Sequence, residues 1–135
     1  MRVFVYFNLH KKCFSIKALE GDRKGRVIAH SDTVVLEGCK LLVSEAGRQR
    51  VLREKRKNVH AGVTGVWTES VRDTADFDAL SVTGRQVTYN PYKYAQFVIK
   101  ATEQPIGLAD VVAMKAMPTA DGIKRGVIYM RNCNA

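Results

Sequence analysis

Residues 2–7, Arg-Val-Phe-Val-Tyr-Phe, decide the fold of this chain. β-branched and aromatic side chains of this kind favour a strand. Both alternating sets are apolar, because Val3 and Val5 lie on one side of the strand and Phe4 and Tyr6 on the other. One face therefore needs the protein's own core, and the other needs the C-terminal half of the chain or a second subunit.

Four further short strands are predicted to follow the first. They occupy residues 13–19, 26–30, 33–36 and 39–43, and polar or glycine-containing turns separate them. Short strands joined by tight turns predict an antiparallel β meander over residues 1–43.

Residues 44–60, Ser-Glu-Ala-Gly-Arg-Gln-Arg-Val-Leu-Arg-Glu-Lys-Arg-Lys-Asn-Val-His, are predicted to form a basic helix. Ser44 is a good N-cap because its hydroxyl can accept from a free amide of the first turn, and Glu45 suits the positive helix end. Spacings of 3, 4 and 3 residues place one set of cationic side chains on a single face: Arg50, Arg53, Lys57 and His60. Such a face indicates a polyanionic partner.

Residues 61–131 are predicted to add further strands, at 61–68, 80–89, 97–101, 110–114 and 126–130. Residues 69–79 are acidic and polar, which predicts a surface loop. The sequence as a whole therefore predicts one α+β domain, mostly an antiparallel β meander, with one main basic helix.

Composition narrows the class of protein further. The chain has 135 residues and a net charge of +9, which fits one globular domain that attracts anions. Cys13, Cys39 and Cys133 are few and widely spaced, so the sequence predicts reduced thiols and no zinc site. No apolar run approaches the ~20 residues that span a bilayer. We expect a soluble intracellular protein without a cofactor.

The basic helix has two interpretations. An ordinary solvated helix face would pair Arg50 with Glu54 four residues later. A phosphate-binding face would explain why arginine outnumbers lysine there, since its planar fork suits phosphate oxygens.

A second cluster, Thr88-Tyr89-Asn90-Pro91-Tyr92-Lys93-Tyr94, also has two interpretations. Tyrosine rings stack on bases, and an asparagine amide can pair with an adenine edge. The alternative is a turn at Pro91 with packed tyrosines.

Known catalytic patterns are missing from the sequence. Gly-x-Ser-x-Gly and the phosphate-binding Gly-x-x-x-x-Gly-Lys-Ser/Thr do not occur. His60 is interpreted as a helix C-terminal residue that faces the negative end of the dipole. We therefore expect binding without catalysis.

Three segments resemble a known group of proteins. They are the N-terminal Val-Phe-Val-Tyr-Phe-Asn, the following Lys-Gly-Arg-Val-Ile-Ala-His, and Val43 to Ala61 around the basic helix. They look like a family of small bacteriophage proteins. They are also similar to the Thoeris anti-defence sponges, phage proteins that capture cyclic ADP-ribose signals made by TIR-domain defence enzymes. The similarity covers residues 1–65 and returns at 88–92.

The resemblance implies a β-rich oligomer whose pockets, at subunit contacts, hold a nucleotide without cleaving it. It implies that Arg56 and Asn90 bind the ligand. The family's pocket also uses late arginines, but residues 101–120 contain none, and Arg125 and Arg131 are the arginines that follow.

The predicted function is a phage anti-defence protein that sequesters a cyclic nucleotide, of the cyclic ADP-ribose type or a cyclic oligonucleotide, in the cytoplasm of the infected host. The predicted ligand-binding residues are Arg50, Arg53, Arg56, Lys57, Tyr89, Asn90, Tyr92 and Arg125. The alternatives are a nucleic-acid-binding module and a protein inhibitor of a host defence factor.

Overall fold

The computed structural model describes residues 1–56, 59–67 and 73–131, with the side chains of residues 73 and 74 left aside. These residues form one antiparallel sheet of nine strands with two helices, which confirms the predicted α+β class. The elements are β1 Arg2–Asn8, β2 Cys13–Ala18, β3 Val27–Ser31, β4 Thr33–Val43, α1 Glu45–Glu54, β5 Ala61–Trp67, α2 Asp73–Thr83, β6 Arg85–Thr88, β7 Val98–Ile99, β8 Leu108–Pro118 and β9 Lys124–Arg131.

The strand order is β3-β2-β1-β5-β4-β8-β9-β6-β7. The first three strands form the predicted meander, but β4 pairs with β5 and β8 instead of β3. The prediction of a continuous five-strand meander is therefore wrong beyond β3. Because β4 carries buried residues along its length, such as Val34, Leu36 and Leu41, it packs well only in the middle of the sheet.

The predicted strands 33–36 and 39–43 are one strand in the structure. Gly38, expected to turn the chain, has a φ of 60° and sits within β4. The pairing of β4 with β5 shifts register between Glu37 and Lys40, so the extra residue forms a bulge and not a turn.

The sheet curls on itself and encloses the core. Val3 and Val5 of β1 are fully buried in that core, as predicted for one face of the first strand. Phe14 of β2 reaches β9, where a Cβ placed on Gly126 would lie 2.8 Å from the Phe14 ring. On the other face of β1, the Phe4 ring covers Gly62 of β5, where a Cβ would lie 2.5 Å from it. The sheet itself thus covers part of the second apolar face.

Helix α1 is shorter than predicted. Ser44 is the N-cap, as expected, and its side chain accepts from the Gly47 amide at 3.2 Å. The helix ends at Glu54, because Lys55 adopts the left-handed conformation with a φ of 54° and its N–H donates to Val51 O. The prediction that His60 ends the helix is wrong.

Helix α2 replaces the predicted acidic loop and the first residues of the predicted strand 80–89. Phe77 and Leu80 are three residues apart on one helix face, and they pack with Ala113 on the outer face of the sheet. This pair of apolar side chains anchors the helix, and the acids Asp76 and Asp78 remain exposed. Strand β6 consequently begins only at Arg85.

Neither helix in the described part of the chain is long and apolar enough to cross a membrane.

Candidate functional site

A cavity of about 1220 Å³ opens at the end of the curled sheet, beside the C-terminal end of α1. Its volume exceeds the roughly 300–1,000 Å³ typical of small-molecule pockets. Apolar side chains from the core form its floor, among them Val5, Phe7, Phe14, Phe97 and Met114. Polar and charged residues also line it: Asn8, His10 and Lys12 from the β1–β2 turn, Lys55 and Arg56 after α1, His60, and Tyr89.

The cavity has a positive lining. Lys12, Lys55 and Arg56 contribute three permanent cations, and no aspartate or glutamate is among the described lining residues. The four ion pairs among described residues lie elsewhere in the molecule and involve none of these three side chains. The cavity therefore offers unneutralised positive charge above an apolar floor.

Two of these cations sit on a strained backbone. Lys12 has a φ of 58° and Lys55 a φ of 54°, and only one other described non-glycine residue, Glu103, has a positive φ. The left-handed conformation costs a residue with a Cβ roughly 1–2 kcal/mol. Strain of this kind concentrates at functional sites, where the required side chain is kept although glycine would fit the backbone better.

The turn that carries Lys12 is built by Asn8. The Asn8 Oδ1 accepts from the amides of His10 and Lys11, both at 3.0 Å. The Asn8 Nδ2 donates to the buried Ser15 Oγ at 3.2 Å, which ties the turn to β2. This Asx turn fixes one side of the cavity mouth.

His60 and Tyr89 meet at the cavity wall. His60 Nε2 and Tyr89 Oη are 2.6 Å apart, and the Tyr89 ring packs on Phe97 with 5.2 Å between centroids. Burial raises the pKa of the Tyr89 hydroxyl above its usual value of 10.0, so the hydroxyl stays protonated at neutral pH. The pair thus presents an aromatic surface with a polar edge.

Helix α1 holds His60 in place. The Ser44 amide donates to His60 O at 2.7 Å. Gly47 allows the helix to approach, since a Cβ there would lie 2.7 Å from the His60 Cβ. The absence of a side chain at Gly47 therefore sets the position of His60.

Arg48 fastens the same helix to the segment that follows Tyr89. Its Nε donates to Pro91 O at 2.9 Å and to Tyr94 O at 3.1 Å, and its guanidinium pairs with Glu45 at 3.1 Å. Arg48 is thus a structural link between α1 and the segment that follows Tyr89.

The predicted site residues divide into two groups. Arg56 and Tyr89, far apart in the sequence, both line the cavity. Five others lie outside its lining: Arg50 and Arg53 on the exposed face of α1, Asn90, Tyr92, and Arg125, which pairs with Asp121 at 3.5 Å. Lys57 is outside the described residues.

Asn90 has a local role in the structure. Its Oδ1 accepts from the Tyr92 amide at 3.0 Å, and the Lys93 and Tyr94 amides donate to its backbone oxygen. Tyr92 is 66% exposed. The turn interpretation therefore describes residues 90–94, while Thr88 and Tyr89 of this cluster line the cavity.

The sequence patterns did not indicate a site role for Lys12, Lys55 or His10, or the position of His60. An asparagine followed closely by lysines after a strand signals an Asx turn with cations, and this signal was available in residues 8–12. No local signal places that turn opposite α1, because the closure of the sheet brings them together.

Among residues 1–56, 59–67 and 73–131, no three His, Cys, Asp or Glu side chains are grouped so that they could hold a metal ion.

Comparison with known proteins gives one consistent result. The sequence profile described as Mycobacterium phage L5 gene 82 protein matches residues 1–120. The gene 82 protein of Mycobacterium phage L5 is 44% identical over 118 residues, which cover 83% of this chain and 88% of that protein. No solved structure matches.

Proposed function

The chain belongs to the Mycobacterium phage L5 gene 82 protein family, and we propose that this bacteriophage protein binds a cyclic nucleotide signal in the cavity and sequesters it without cleaving it. The single observation that carries the proposal is the lining of the cavity, which combines three unpaired cations with an aromatic and apolar floor.

The lining suits a ligand with two kinds of surface. Lys12, Lys55 and Arg56 suit phosphate oxygens, and arginine can bind them with two parallel hydrogen bonds. Tyr89, whose ring packs on the buried Phe97, offers a ring surface on which a base can stack. A nucleotide has both an anionic and an aromatic part, and neither a sugar nor a fatty acid does.

The positions of the cations favour a ligand with more than one phosphate. Lys12 belongs to the β1–β2 turn, whereas Lys55 and Arg56 follow α1, so the charges approach the cavity from two elements. A cyclic ADP-ribose or a small cyclic oligonucleotide carries phosphates that can meet cations from both. The resemblance to Thoeris anti-defence sponges supports the same ligand class.

Sequestration needs only affinity and abundance. A homo-oligomer in the cytoplasm of the infected host would lower the free concentration of a defence signal by mass action. The rival activity is phosphodiester hydrolysis, since His10, His60 and Lys12 line the same cavity. The two differ in the fate of the ligand.

The test is ligand recovery. The protein is incubated with cyclic ADP-ribose, ADP-ribose, cyclic AMP and a cyclic trinucleotide, and complexes are identified by native mass spectrometry. After heat denaturation the released ligand is identified by chromatography. We expect the cyclic ligand to emerge unchanged after hours of incubation. Linear product that accumulates with time would make this an enzyme.

A salt titration separates this function from binding to a nucleic acid. A complex with many phosphates of DNA loses affinity with a log–log slope of about −0.9 per phosphate. A ligand with two or three phosphates should give a shallow slope. If the protein retains no cyclic nucleotide but retains DNA with a steep dependence on salt, nucleic-acid binding replaces the proposed function.

A further inference from the structure

The exposed face of α1 carries two arginines that no described residue neutralises. Arg50 and Arg53 are both exposed, and neither takes part in an ion pair or side-chain hydrogen bond of the described structure. The pair of Arg50 with Glu54, which an ordinary solvated helix would form at this spacing, is absent from the described ion pairs. Two full charges are therefore directed to solvent.

These charges lie close to the mouth of the cavity. Lys55 ends α1 and lines the cavity. A helix rises about 1.5 Å per residue, so the backbone of Arg53 lies about 3 Å and that of Arg50 about 7.5 Å from the backbone of Lys55 along the axis. Both distances are below the Debye length of about 10 Å at 0.1 M salt. Their field reaches the mouth although their side chains do not line it.

We propose that Arg50 and Arg53 are steering residues, which raise the rate at which an anionic ligand enters the cavity and do not hold it afterwards. The inference rests on the proposed function, because it needs an anionic ligand in this cavity. Charges at the rim of a binding site act on association and its salt dependence, whereas buried contacts act on dissociation. Arg50 and Arg53 lie outside the cavity lining, whereas Arg56, although also exposed, is part of it, so we assign the two sets different roles.

Steering by these arginines would also select among ligands. The attraction between charges grows with the charge on the ligand. A signal with two or more phosphates is accelerated more than a cyclic mononucleotide with one. The exposed arginines would therefore give a kinetic preference for polyphosphate signals before any contact is made inside the cavity.

The chain offers a matched control. Arg23 and Lys24 are exposed in the loop after β2, whereas Lys12 immediately precedes the other end of that strand. Six strand residues at about 3.3 Å each put about 20 Å between the two ends. Replacing Arg23 and Lys24 by glutamine removes the same net charge as replacing Arg50 and Arg53. Replacing Glu54 by glutamine removes a negative charge beside the mouth.

The experiment measures association and dissociation rates of cyclic ADP-ribose by surface plasmon resonance. At 0.01 M ionic strength, Arg50→Gln with Arg53→Gln should slow association about fivefold, and at 0.5 M less than twofold. The dissociation rate should not change. At 0.1 M ionic strength, where the Debye length of about 10 Å is half the separation of the control, Arg23→Gln with Lys24→Gln should leave association within about 1.5-fold, and Glu54→Gln should raise it. Cyclic AMP, which has one charge, should respond less than cyclic ADP-ribose.

Three results would overturn the inference. Faster dissociation in the Arg50/Arg53 variant would make these arginines contact residues. An equally slowed association in the Arg23/Lys24 variant would show that the association rate depends on the net charge of the protein and not on these two positions. If the Arg50/Arg53 variant binds with an unchanged association rate, steering is rejected and the proposed function stands. If the unaltered protein does not bind the nucleotide, the proposed function is rejected as well.

Discussion

The two helices of this protein are held in opposite ways. Helix α2 is held by apolar packing, since Phe77 and Leu80 are buried against the outer face of the sheet. Helix α1 has one buried side chain, Val51, and is fastened by polar contacts, chiefly the bonds from Arg48 to two backbone oxygens. Non-directional packing fixes α2, whereas a few directional bonds fix α1.

The charges of the helices follow the same division. The exposed acids Asp76 and Asp78 are on α2, which contacts β4, β8, β9 and β6. Four cations in no described ion pair are on α1 and the residues that follow it, beside the cavity: Arg50, Arg53, Lys55 and Arg56. A helix that needs little apolar contact can devote most of its surface to charge, because few of its side chains must be buried. We therefore expect changes in α2 to act on stability and changes near α1 to act on binding.

The largest expected effect tests the packing of α2. Phe77→Ala should lower the free energy of unfolding by about 3–5 kcal/mol, because it removes a large buried aromatic side chain and leaves a cavity. Urea denaturation measures the change. Phe77→Leu should cost clearly less. The folded fraction of Phe77→Ala should still bind nucleotide with unchanged affinity, and a loss of binding in folded protein would contradict the division between the helices.

The next prediction tests a cation of the cavity lining, Arg56. Arg56→Ala should weaken nucleotide binding by about 10- to 150-fold, since a charge-assisted bond to phosphate contributes about 1.5–3 kcal/mol. Isothermal titration calorimetry measures the affinity. Arg56→Lys should recover only part, because lysine keeps the charge without the fork.

Arg53→Ala is the matched control for this change. It removes the same charge three residues earlier, from a side chain outside the cavity lining. The nucleotide affinity of Arg53→Ala should fall far less than that of Arg56→Ala. Without ligand, both variants should melt near the temperature of the original protein. If Arg56→Ala unfolds the protein, Arg56 is structural and the cavity is not the nucleotide site.

A smaller effect separates strain from function at Lys55. Lys55→Gly should raise the free energy of unfolding by up to about 1 kcal/mol, because glycine adopts the left-handed conformation without a Cβ penalty. The same change should weaken nucleotide binding, because a cavity cation is lost. Thermal unfolding and calorimetry on one preparation measure both. Lower stability together with unchanged binding would deny Lys55 a functional reason for its conformation.

An effect of similar size concerns the hydrogen bond between His60 and Tyr89. Tyr89→Phe should cost about 0.5–1.5 kcal/mol at neutral pH, because it removes the hydrogen bond to His60. The folded-state pKa of Tyr89 is raised by burial, so above pH 10 the unfolded chain releases its proton first and stability falls with rising pH. The difference in stability between the original protein and Tyr89→Phe should therefore shrink above pH 10. Denaturation at pH 7 to 11 measures it, and a constant difference would show that this hydroxyl does not titrate in that range.

The sequence was informative where local rules control structure. The strand character of β1 and the N-cap at Ser44 depend on residues a few positions apart, and both predictions are confirmed. The prediction of a loop over the acidic segment that forms α2 is wrong, because Phe77 and Leu80 are a sparse apolar signal for a helix. These two side chains stabilise the helix only by packing on a sheet surface whose residues are distant in sequence.

The sequence by itself determined an α+β chain of mostly antiparallel strands, its excess of positive charge, and a cation-rich segment around α1. Those properties depend on residue type and on short spacings. The tertiary structure alone decided which cations share a cavity, because the curled sheet brings Lys12 to the same cavity as Arg56 and Tyr89. It also left Arg50 and Arg53 exposed on α1 and outside that cavity. Closure of a sheet depends on contacts between distant strands, and no short stretch of sequence contains them.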